Sequence, residues 1–286
     1  MKPAFSTVAC PDWTLDEVIP FAARAGYAGV EFRTFGHSAS DLTCEPCLTG
    51  SAKIRELLAD EGVRPAALAT SIRFDAPVFP PVLGRVIGDF EKPVRETKLA
   101  VIEAAAIECP FVRVFGFELQ GESRQAGMRR IVERLGLAAA TARHTGVRLL
   151  LENGGSFPTA ADLVELMDRV GSPLIAAAYS PAVAAMADED PIDGARLLGS
   201  SLASVKLRDM KHTQPAPLGL GDLAVEPFVR ALAETGFGGW LVYEYDRLWW
   251  RNLADPSEVL IDAAGKMYRW SGRPAGEFEA RKYAVA

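Results

Sequence analysis

Two hydrophobic patterns alternate along this chain from one end to the other. Short apolar runs bounded by turn residues, such as VRLLLEN at 147–153 and GWLVYEYD at 239–246, predict buried β-strands. Longer segments with apolar residues three or four positions apart, such as TAADLVELMDRVG at 159–171, predict amphipathic helices. Thr14 and Thr159 stand where helix N-caps are expected, each with an acidic residue close behind. The sequence therefore predicts a regular succession of strand and helix.

The number of these units decides the architecture. Eight strand candidates follow one another in chain order: AFSTVAC, GVEFR, AALATSIRF, FVRVFGF, VRLLLEN, PLIAAAYS, LASVKLRD and GWLVYEYD. Strands that alternate with helices pair in parallel through right-handed crossovers, and eight units close into a (β/α)₈ TIM barrel of the α/β class. We expect a single domain over residues 1–286, with 272–286 as a C-terminal tail. The sixth helix is the weakest, because AVAAMADEDPIDGARLLGS at 182–200 fits either a broken helix or a loop with a short helix.

Charged residues interrupt several of the predicted strands. In LASVKLRD, the alternation of side chains sends Val205 and Leu207 towards the helices, and it sends Lys206 and Arg208 into the barrel. The same alternation turns further polar residues inward near the C-terminal strand ends: Glu31, Arg33, Arg113, Glu152, Tyr179 and Glu244. Barrel active sites lie at that end, and a buried charge is costly unless it is paired, so we expect these groups to interact there. A structural ion-pair network without chemistry is the alternative interpretation.

Composition and charge narrow the classes of function. The 286 residues are 49% hydrophobic and 24% charged, with a net charge of −6 and a pI near 5.3. This acidic balance disfavours a nucleic-acid partner, because phosphate contacts need clustered Lys and Arg. The sequence shows no apolar run that would span a bilayer and no secretory signal, so we expect no membrane partner and a cytoplasmic location. Cys44 and Cys47 form a CxxC that is interpreted as a pair of loop thiols without an assigned role.

Five stretches of the sequence are similar, in order and spacing, to one known family. They are PDWTLDEVIPFAARAGYAGVEFR, VRVFGF, LLLENGG, PLGLGDLAVEPFVRALAETGFGGWLVYE and DPSEVL. Together they resemble the sugar phosphate isomerase/epimerase family of xylose isomerase-like TIM barrels. The resemblance implies one divalent ion held by a Glu, an Asp, a His and a second Glu, from strands five to eight in turn. Glu152 and Glu244 stand at the two Glu positions, Tyr179 or Ser180 at the Asp position and Lys206 at the His position.

The lysine changes what this site is expected to hold. A protonated lysine has no lone pair for a metal, and two carboxylates alone make a poor ion site. We therefore expect no cofactor, with the Lys206 ammonium lying between Glu152 and Glu244 in place of the ion. The alternative, kept open by the family resemblance, is a rebuilt Mg²⁺, Mn²⁺ or Zn²⁺ site that adds His212 or His37 to the two Glu residues.

The resemblance implies an isomerase, an epimerase or a related lyase that acts on a small, polar, sugar-like hydroxy-carbonyl compound. In that chemistry Glu152 and Glu244 exchange a proton next to a carbonyl, Lys206 stabilises the oxyanion, and Tyr179 is a candidate proton donor. A Schiff base on Lys206 is less favoured, since neighbouring carboxylates raise the pKa of a lysine. A non-catalytic or ligand-binding relative that has lost its metal is the alternative function.

The mouth of the predicted barrel also offers residues suited to hold a substrate. Guanidinium groups bind carboxylates and phosphates, and aromatic rings stack on sugars and other rings. The candidates for substrate binding are Arg33, His37, Arg73, Arg113, Arg208, Trp13 and Trp249. Each arginine could equally be a salt-bridge partner. For Trp249 and its neighbour Trp250, packing against a second subunit of a homo-oligomer is an equally open interpretation.

Overall fold

The computed structural model describes the chain in four stretches. They are residues 1–34, 50–76, 90–119 and 121–272. His37, Cys44 and Cys47 lie outside these stretches, as does all but the first residue of the predicted tail. The single domain over the whole chain therefore stays a prediction.

Eight parallel strands close into a barrel, which confirms the predicted (β/α)₈ fold. The strands are β1 Lys2–Ser6, β2 Gly29–Arg33, β3 Arg64–Arg73, β4 Phe111–Phe115, β5 Arg148–Glu152, β6 Ile175–Tyr179, β7 Leu202–Leu207 and β10 Trp240–Tyr243. Their order around the barrel is β1, β10, β7, β6, β5, β4, β3 and β2, and each neighbouring pair is parallel. All eight strand ends therefore meet at one mouth.

Helices follow the strands in the succession that the sequence predicts. Those in the described stretches are α1 Leu15–Arg24, α2 Ser51–Asp60, α3 Lys92–Ala106, α4 Arg124–Thr141, α5 Ala160–Val170, α6 Pro181–Met186, α7 Pro191–Leu198, α8 Val225–Glu234 and α9 Pro256–Trp270. Both predicted N-caps are present as capping boxes. The backbone N–H of Thr14 donates to Glu17 at 2.7 Å, and that of Thr159 donates to Asp162 at 3.0 Å. No helix within these four stretches of the chain is long and apolar enough to cross a membrane.

The sixth unit is a broken helix, one of the two forms that its sequence allows. Helix α6 ends at Met186, and α7 begins after Asp190, whose carboxylate accepts hydrogen bonds from the backbone of Ile192 and Asp193. Gly194 in α7 faces β6, where a Cβ would overlap the hydroxyl of Tyr179. This close approach explains why a glycine, a poor helix former, stands in the middle of the helix.

The strands separate apolar and charged side chains as barrel geometry requires. Val205 and Leu207 of β7 join the core between the barrel and the helices, together with the helix-facing residues of the other strands. Two further clusters of buried apolar side chains lie apart from that core: Ala4, Ala28, Ala66, Trp240 and Val242 form one, and Ala67, Leu150, Ala176 and Ala178 form the other. The inward-facing charged residues of the strands are buried as well: Glu31, Arg113, Glu152 and Lys206. The strand alternation read from the sequence is thus confirmed for β2, β4, β5, β7 and β10.

A short antiparallel hairpin follows β7, formed by β8 Asp209–Lys211 and β9 Gln214–Ala216. The buried carboxylate of Asp209 fixes the loop beyond it, accepting backbone hydrogen bonds from Gly219 at 2.7 Å and Gly221 at 3.0 Å. A Cβ on Gly221 would overlap that carboxylate, so the loop can close on Asp209 only with a glycine there. This anchoring holds the chain that leads from the end of β7 to the start of α8.

Candidate active site

One fully buried ion pair lies inside the barrel. The Lys206 ammonium from β7 donates to the Glu31 carboxylate from β2, and neither side chain has any exposed surface. Its nitrogen lies 3.8 Å from Oε1 of Glu244. We call Lys206 and Glu31 the interior pair. The prediction that Lys206 lies between Glu152 and Glu244 is therefore wrong for Glu152. The lysine instead reaches across the barrel to Glu31. Among the described residues, no other cation is near enough to pair with the Glu31 carboxylate.

An arginine occupies the place that was expected for the lysine. Nη1 of Arg113, from β4, lies 3.2 Å from Oε2 of Glu152 and 3.3 Å from Oε1 of Glu244. Arg208, just past β7, contacts the other oxygen of Glu244 through Nε at 2.7 Å and Nη2 at 2.5 Å. We call Arg113, Glu152, Arg208 and Glu244 the mouth cluster. Arg208 is its most exposed member, with 30% of its side chain accessible.

The two carboxylates of the mouth cluster have pKa values shifted in opposite directions. Burial raises the pKa of Glu152, and the charge of Glu244 adds to this rise, while the guanidinium groups of Arg113 and Arg208 offset it only in part. Burial also opposes ionisation of Glu244, but Arg208, Lys206 and Arg113 outweigh it and hold the pKa of Glu244 well below its usual range. One carboxyl therefore takes up a proton readily while its neighbour stays ionised, which is the division found between general acid and permanent anion in many active sites.

Lys206 is unsuited to contact a substrate directly. Burial lowers its pKa to about 8, with Glu244 acting in the opposite direction. A lowered pKa favours a nucleophilic lysine. The expectation from the sequence, that neighbouring carboxylates raise the pKa of Lys206, is therefore wrong. Because the side chain has no exposed surface and donates to Glu31, however, a carbonyl has no path to its nitrogen in this arrangement.

The prediction that Tyr179 turns inward is wrong. Tyr179 packs in the core between barrel and helices, and its hydroxyl donates to Oε2 of Glu189 at 2.7 Å. Burial, followed by Glu189, raises the pKa of this phenol to a value at which it holds its proton. The next residue, Ser180, is buried, and its Oγ has no hydrogen-bond partner within the described stretches. Of the two residues that the resemblance places at the family's Asp position, Tyr179 therefore turns away from the barrel interior, and neither carries a carboxylate.

The candidates for substrate binding separate into buried and exposed groups. Arg33 is inside the barrel, where it donates to the Ala69 carbonyl at 2.9 Å, and burial followed by repulsion from Arg113 lowers its pKa to about 10. Arg73 is half exposed at the end of β3, and its guanidinium lies 5.3 Å from the ring centre of Phe117. These two arginines frame the same side of the barrel as Arg113.

The two tryptophans differ in the same way. Trp13 is half buried and packs edge-on against Phe21 of α1, with 4.8 Å between ring centres. Trp249 is 56% exposed beyond β10. His37, the remaining candidate, lies outside the described residues.

The residues at the positions of the family's metal ligands do not fit a divalent ion. Of the four positions, only Glu152 and Glu244 carry carboxylates, and the nitrogens of Arg113 and Lys206 lie against them. No group of three or more His, Cys, Asp and Glu residues within the described stretches could hold a metal. The rebuilt site with His212 is also contradicted, because His212 lies exposed on the hairpin with its Nδ1 3.6 Å from Asp222. Cations of the protein itself surround both carboxylates.

Three polar residues complete the site and were not singled out from the sequence. The Thr70 carbonyl accepts from Nη2 of Arg113 at 3.2 Å, and Asp246 lies 3.9 Å from Nε of Arg208. Asn153, next to Glu152, ties the ends of β5 and β6 together by exchanging hydrogen bonds with the backbone of Ser180. Extending the alternation of β10 beyond Glu244 would have found Asp246. Thr70 contributes a backbone carbonyl, and the Asn153 side chain binds the backbone of Ser180, so neither contact can be read from residue types in the sequence.

Comparisons with known proteins agree with this architecture. The family model of the xylose isomerase-like TIM barrel matches residues 19–269. No curated protein sequence matches the chain.

Several solved structures have the same fold. The probable 3-DHS dehydratase AsbF of Bacillus anthracis, involved in petrobactin synthesis, matches with a TM-score of 0.74 and 16% identity over 92% of this chain and 97% of that one. IOLI protein with a bound zinc atom matches with a TM-score of 0.76 and 15% identity, over 95% and 98% of the two chains. D-allulose 3-epimerase from Methylomonas sp., in complex with D-allulose, matches with a TM-score of 0.71 and 18% identity, over 92% of this chain and 94% of that one. With the family model matching most of its length, this chain belongs to the xylose isomerase-like TIM barrel family.

Proposed function

We propose that this protein is an enzyme that moves a proton next to the carbonyl of a small, sugar-like hydroxy-carbonyl compound. Glu152 is the general acid and base of the proposed reaction, which is an isomerisation, an epimerisation or a related elimination of water. Epimerases and a dehydratase are among the proteins that share the fold, so each of these reactions stays within the proposal. The guanidinium groups of Arg113 and Arg208 stabilise the carbonyl oxygen, a task that the family resemblance assigns to a divalent ion.

The observation that carries the proposal is the placement of one Arg113 nitrogen between two carboxylates with opposite pKa shifts. Burial raises the pKa of Glu152, so this carboxyl holds a proton more readily than an exposed glutamate does. Glu244 stays anionic and keeps Arg113 and Arg208 in position at the mouth. Two chemically identical side chains thus serve different purposes because their surroundings differ.

Arg113 and Arg208 are suited to stabilise the negative charge that develops on a carbonyl oxygen. Both are held by Glu244 before any substrate arrives, so little reorganisation is needed when the charge forms. Lys206, which the sequence predicts to stabilise the oxyanion, instead places its positive charge 3.8 Å from Oε1 of Glu244. Its ammonium helps to keep Glu244 ionised.

Proton exchange with solvent tests the proposal without knowledge of the natural substrate. A panel of ketoses, aldoses and hydroxy-keto acids is incubated with chelator-treated protein in D₂O, and deuterium incorporation or loss of water is followed by NMR and mass spectrometry. We expect exchange with at least one compound, and Glu152→Gln should lower its rate by about 10²–10⁴-fold. Glu165→Gln, which changes a partly exposed carboxylate on α5 outside the mouth cluster, is the matched control and should leave the rate unchanged.

Three outcomes would contradict the proposal. Full activity in Glu152→Gln would show that Glu152 is not the general base. A stoichiometric divalent ion bound by Glu152 and Glu244 would support the metal-dependent alternative. A compound that binds tightly at the mouth without any exchange or turnover would instead favour the non-catalytic relative. Metal analysis of the purified protein and calorimetric titration distinguish these cases.

A further inference from the structure

A second concave site lies beside the mouth, outside the mouth cluster. Its volume is about 370 Å³, within the range of small-molecule pockets. Helices α6 and α7 form one wall with Ala182 and Ile192, α8 forms the other with Phe228 and Ala231, and the end of β7 forms the floor with Leu207. These walls are apolar, and nothing in the proposed proton transfer uses them.

One cation connects this pocket to the active site. Arg208 lines the pocket and is also a member of the mouth cluster. Its contacts with Glu244 use Nε and Nη2, and its contact with Asp246 uses Nε. Arginine has five N–H donors, and Nη1 donates to no protein atom in the described stretches. Of the Arg208 side chain, 30% is accessible.

We propose that the pocket between α6, α7 and α8 binds the apolar part of an organic acid, a single carboxylate of which is held by the free edge of Arg208. A guanidinium edge matches a carboxylate with two parallel hydrogen bonds, and the Ala, Ile, Leu and Phe side chains match a ring or a short alkyl chain. The proposal goes beyond the proposed function and does not rest on it: the organic acid is a ligand of the pocket beside the mouth.

The charges at the two ends of the pocket set the polarity of the ligand. Arg208 stands at the end next to the mouth. Asp190 lines the pocket as well, and its carboxylate is already engaged in capping α7. A second acidic group at the Asp190 end would be repelled, so a monoacid with one apolar end is favoured over a dicarboxylate. A bare sugar has no apolar group to fill the space.

Binding of four matched probes tests the assignment, read by calorimetric titration. The probes are 4-phenylbutanoate, 4-phenyl-1-butanol, 4-phenylbutylamine and butanoate, which separate the carboxylate from the ring. We expect the first to bind at least about tenfold more tightly than each of the others. Ala231→Trp fills the pocket and should weaken the first probe by about tenfold or more, whereas Glu234→Trp, on the same helix but outside the pocket, should not.

A second filling variant keeps the test decisive if Ala231→Trp fails to fold. Ala182→Phe approaches from the opposite wall and should weaken the same probe. Equal affinity for the acid and the alcohol would overturn the role of Arg208. The assignment of the apolar part to the pocket would be wrong if butanoate bound as tightly as 4-phenylbutanoate. It would also be wrong if neither filling variant weakened the binding of 4-phenylbutanoate. Because these measurements require no turnover, their failure leaves the role of Glu152 standing, and an inactive protein that binds the acid would fail only the proposed function.

Discussion

The interior pair and the mouth cluster both join glutamate carboxylates to basic side chains, but their surroundings differ. Lys206 and Glu31 have no exposed surface and pair with each other, and Oε1 of Glu244 lies 3.8 Å from the Lys206 nitrogen. In the mouth cluster, Glu244 is shared by two arginines, and Arg208 keeps nearly a third of its side chain accessible. A sealed pair has a fixed charge arrangement, whereas a cluster with an exposed member can exchange one partner for a ligand. In the proposed function, the first therefore has a structural role and the second a chemical role.

Breaking the interior pair should have the largest effect on stability. Glu31→Leu leaves the Lys206 ammonium buried with Glu244 3.8 Å away as its only remaining carboxylate partner among the described residues. Removing one partner of a buried ion pair typically destabilises a protein by about 3–5 kcal/mol. We expect a loss of that size in the free energy of unfolding, measured by urea titration.

The double variant Glu31→Leu/Lys206→Met is the control for this loss. Two apolar side chains of similar length leave no uncompensated charge, so most of the lost stability should return. A single Glu31→Leu variant as stable as the wild type would mean that water reaches the lysine, and the interior pair would then not be sealed.

The two carboxylates of the mouth cluster should make opposite contributions to stability as pH changes. The raised pKa of Glu152 stabilises the fold below its ordinary pKa of 4.5, and this contribution is lost as pH rises through the folded value. The lowered pKa of Glu244 stabilises the fold above 4.5, and that contribution is lost as pH falls through the folded value. Each unit of difference corresponds to roughly 1 kcal/mol or slightly more.

Melting temperatures of Glu152→Gln and Glu244→Gln across this pH range check the signs. Relative to the wild type, Glu152→Gln should gain stability as pH rises above 4.5, and Glu244→Gln should be most destabilised there. Parallel profiles for the two variants would show that their surroundings do not differ as described.

The sequence predicts the barrel and most of the inward charges, but not how those charges pair. Alternation places Lys206 and Glu152 inside because each lies in a strand whose other face is plainly apolar. The same rule fails at Tyr179, since the run of alanines before it in β6 gives no contrast between the two faces. The partner of Lys206 depends on heights and distances across the closed barrel, which follow from strand tilt and stagger and leave no trace in a single strand.

Replacing Tyr179 by phenylalanine should have a smaller, purely structural effect. The hydroxyl donates to Glu189, whose carboxylate also accepts from the backbone N–H of Ala160 at the start of α5. Loss of one such hydrogen bond costs about 1 kcal/mol, and more where the acceptor is charged. We expect a slightly lower melting temperature and a rate of proton exchange within about twofold of the wild type. A hundredfold slower rate would return Tyr179 to the catalytic residues.

The smallest effect is expected where the same kind of ion pair stands in water. Arg230 on α8 contacts Glu226 at 2.7 Å, but the side chains are 55% and 45% exposed. Such pairs contribute about 0.3–0.5 kcal/mol, and salt screens them, so Arg230→Gln should be barely destabilising and indistinguishable from the wild type in about 1 M NaCl. The loss in Glu31→Leu should survive that salt concentration, because ions and water do not reach Lys206. If about 1 M NaCl abolished the loss of stability in both Arg230→Gln and Glu31→Leu, burial would not protect the interior pair from salt screening as described.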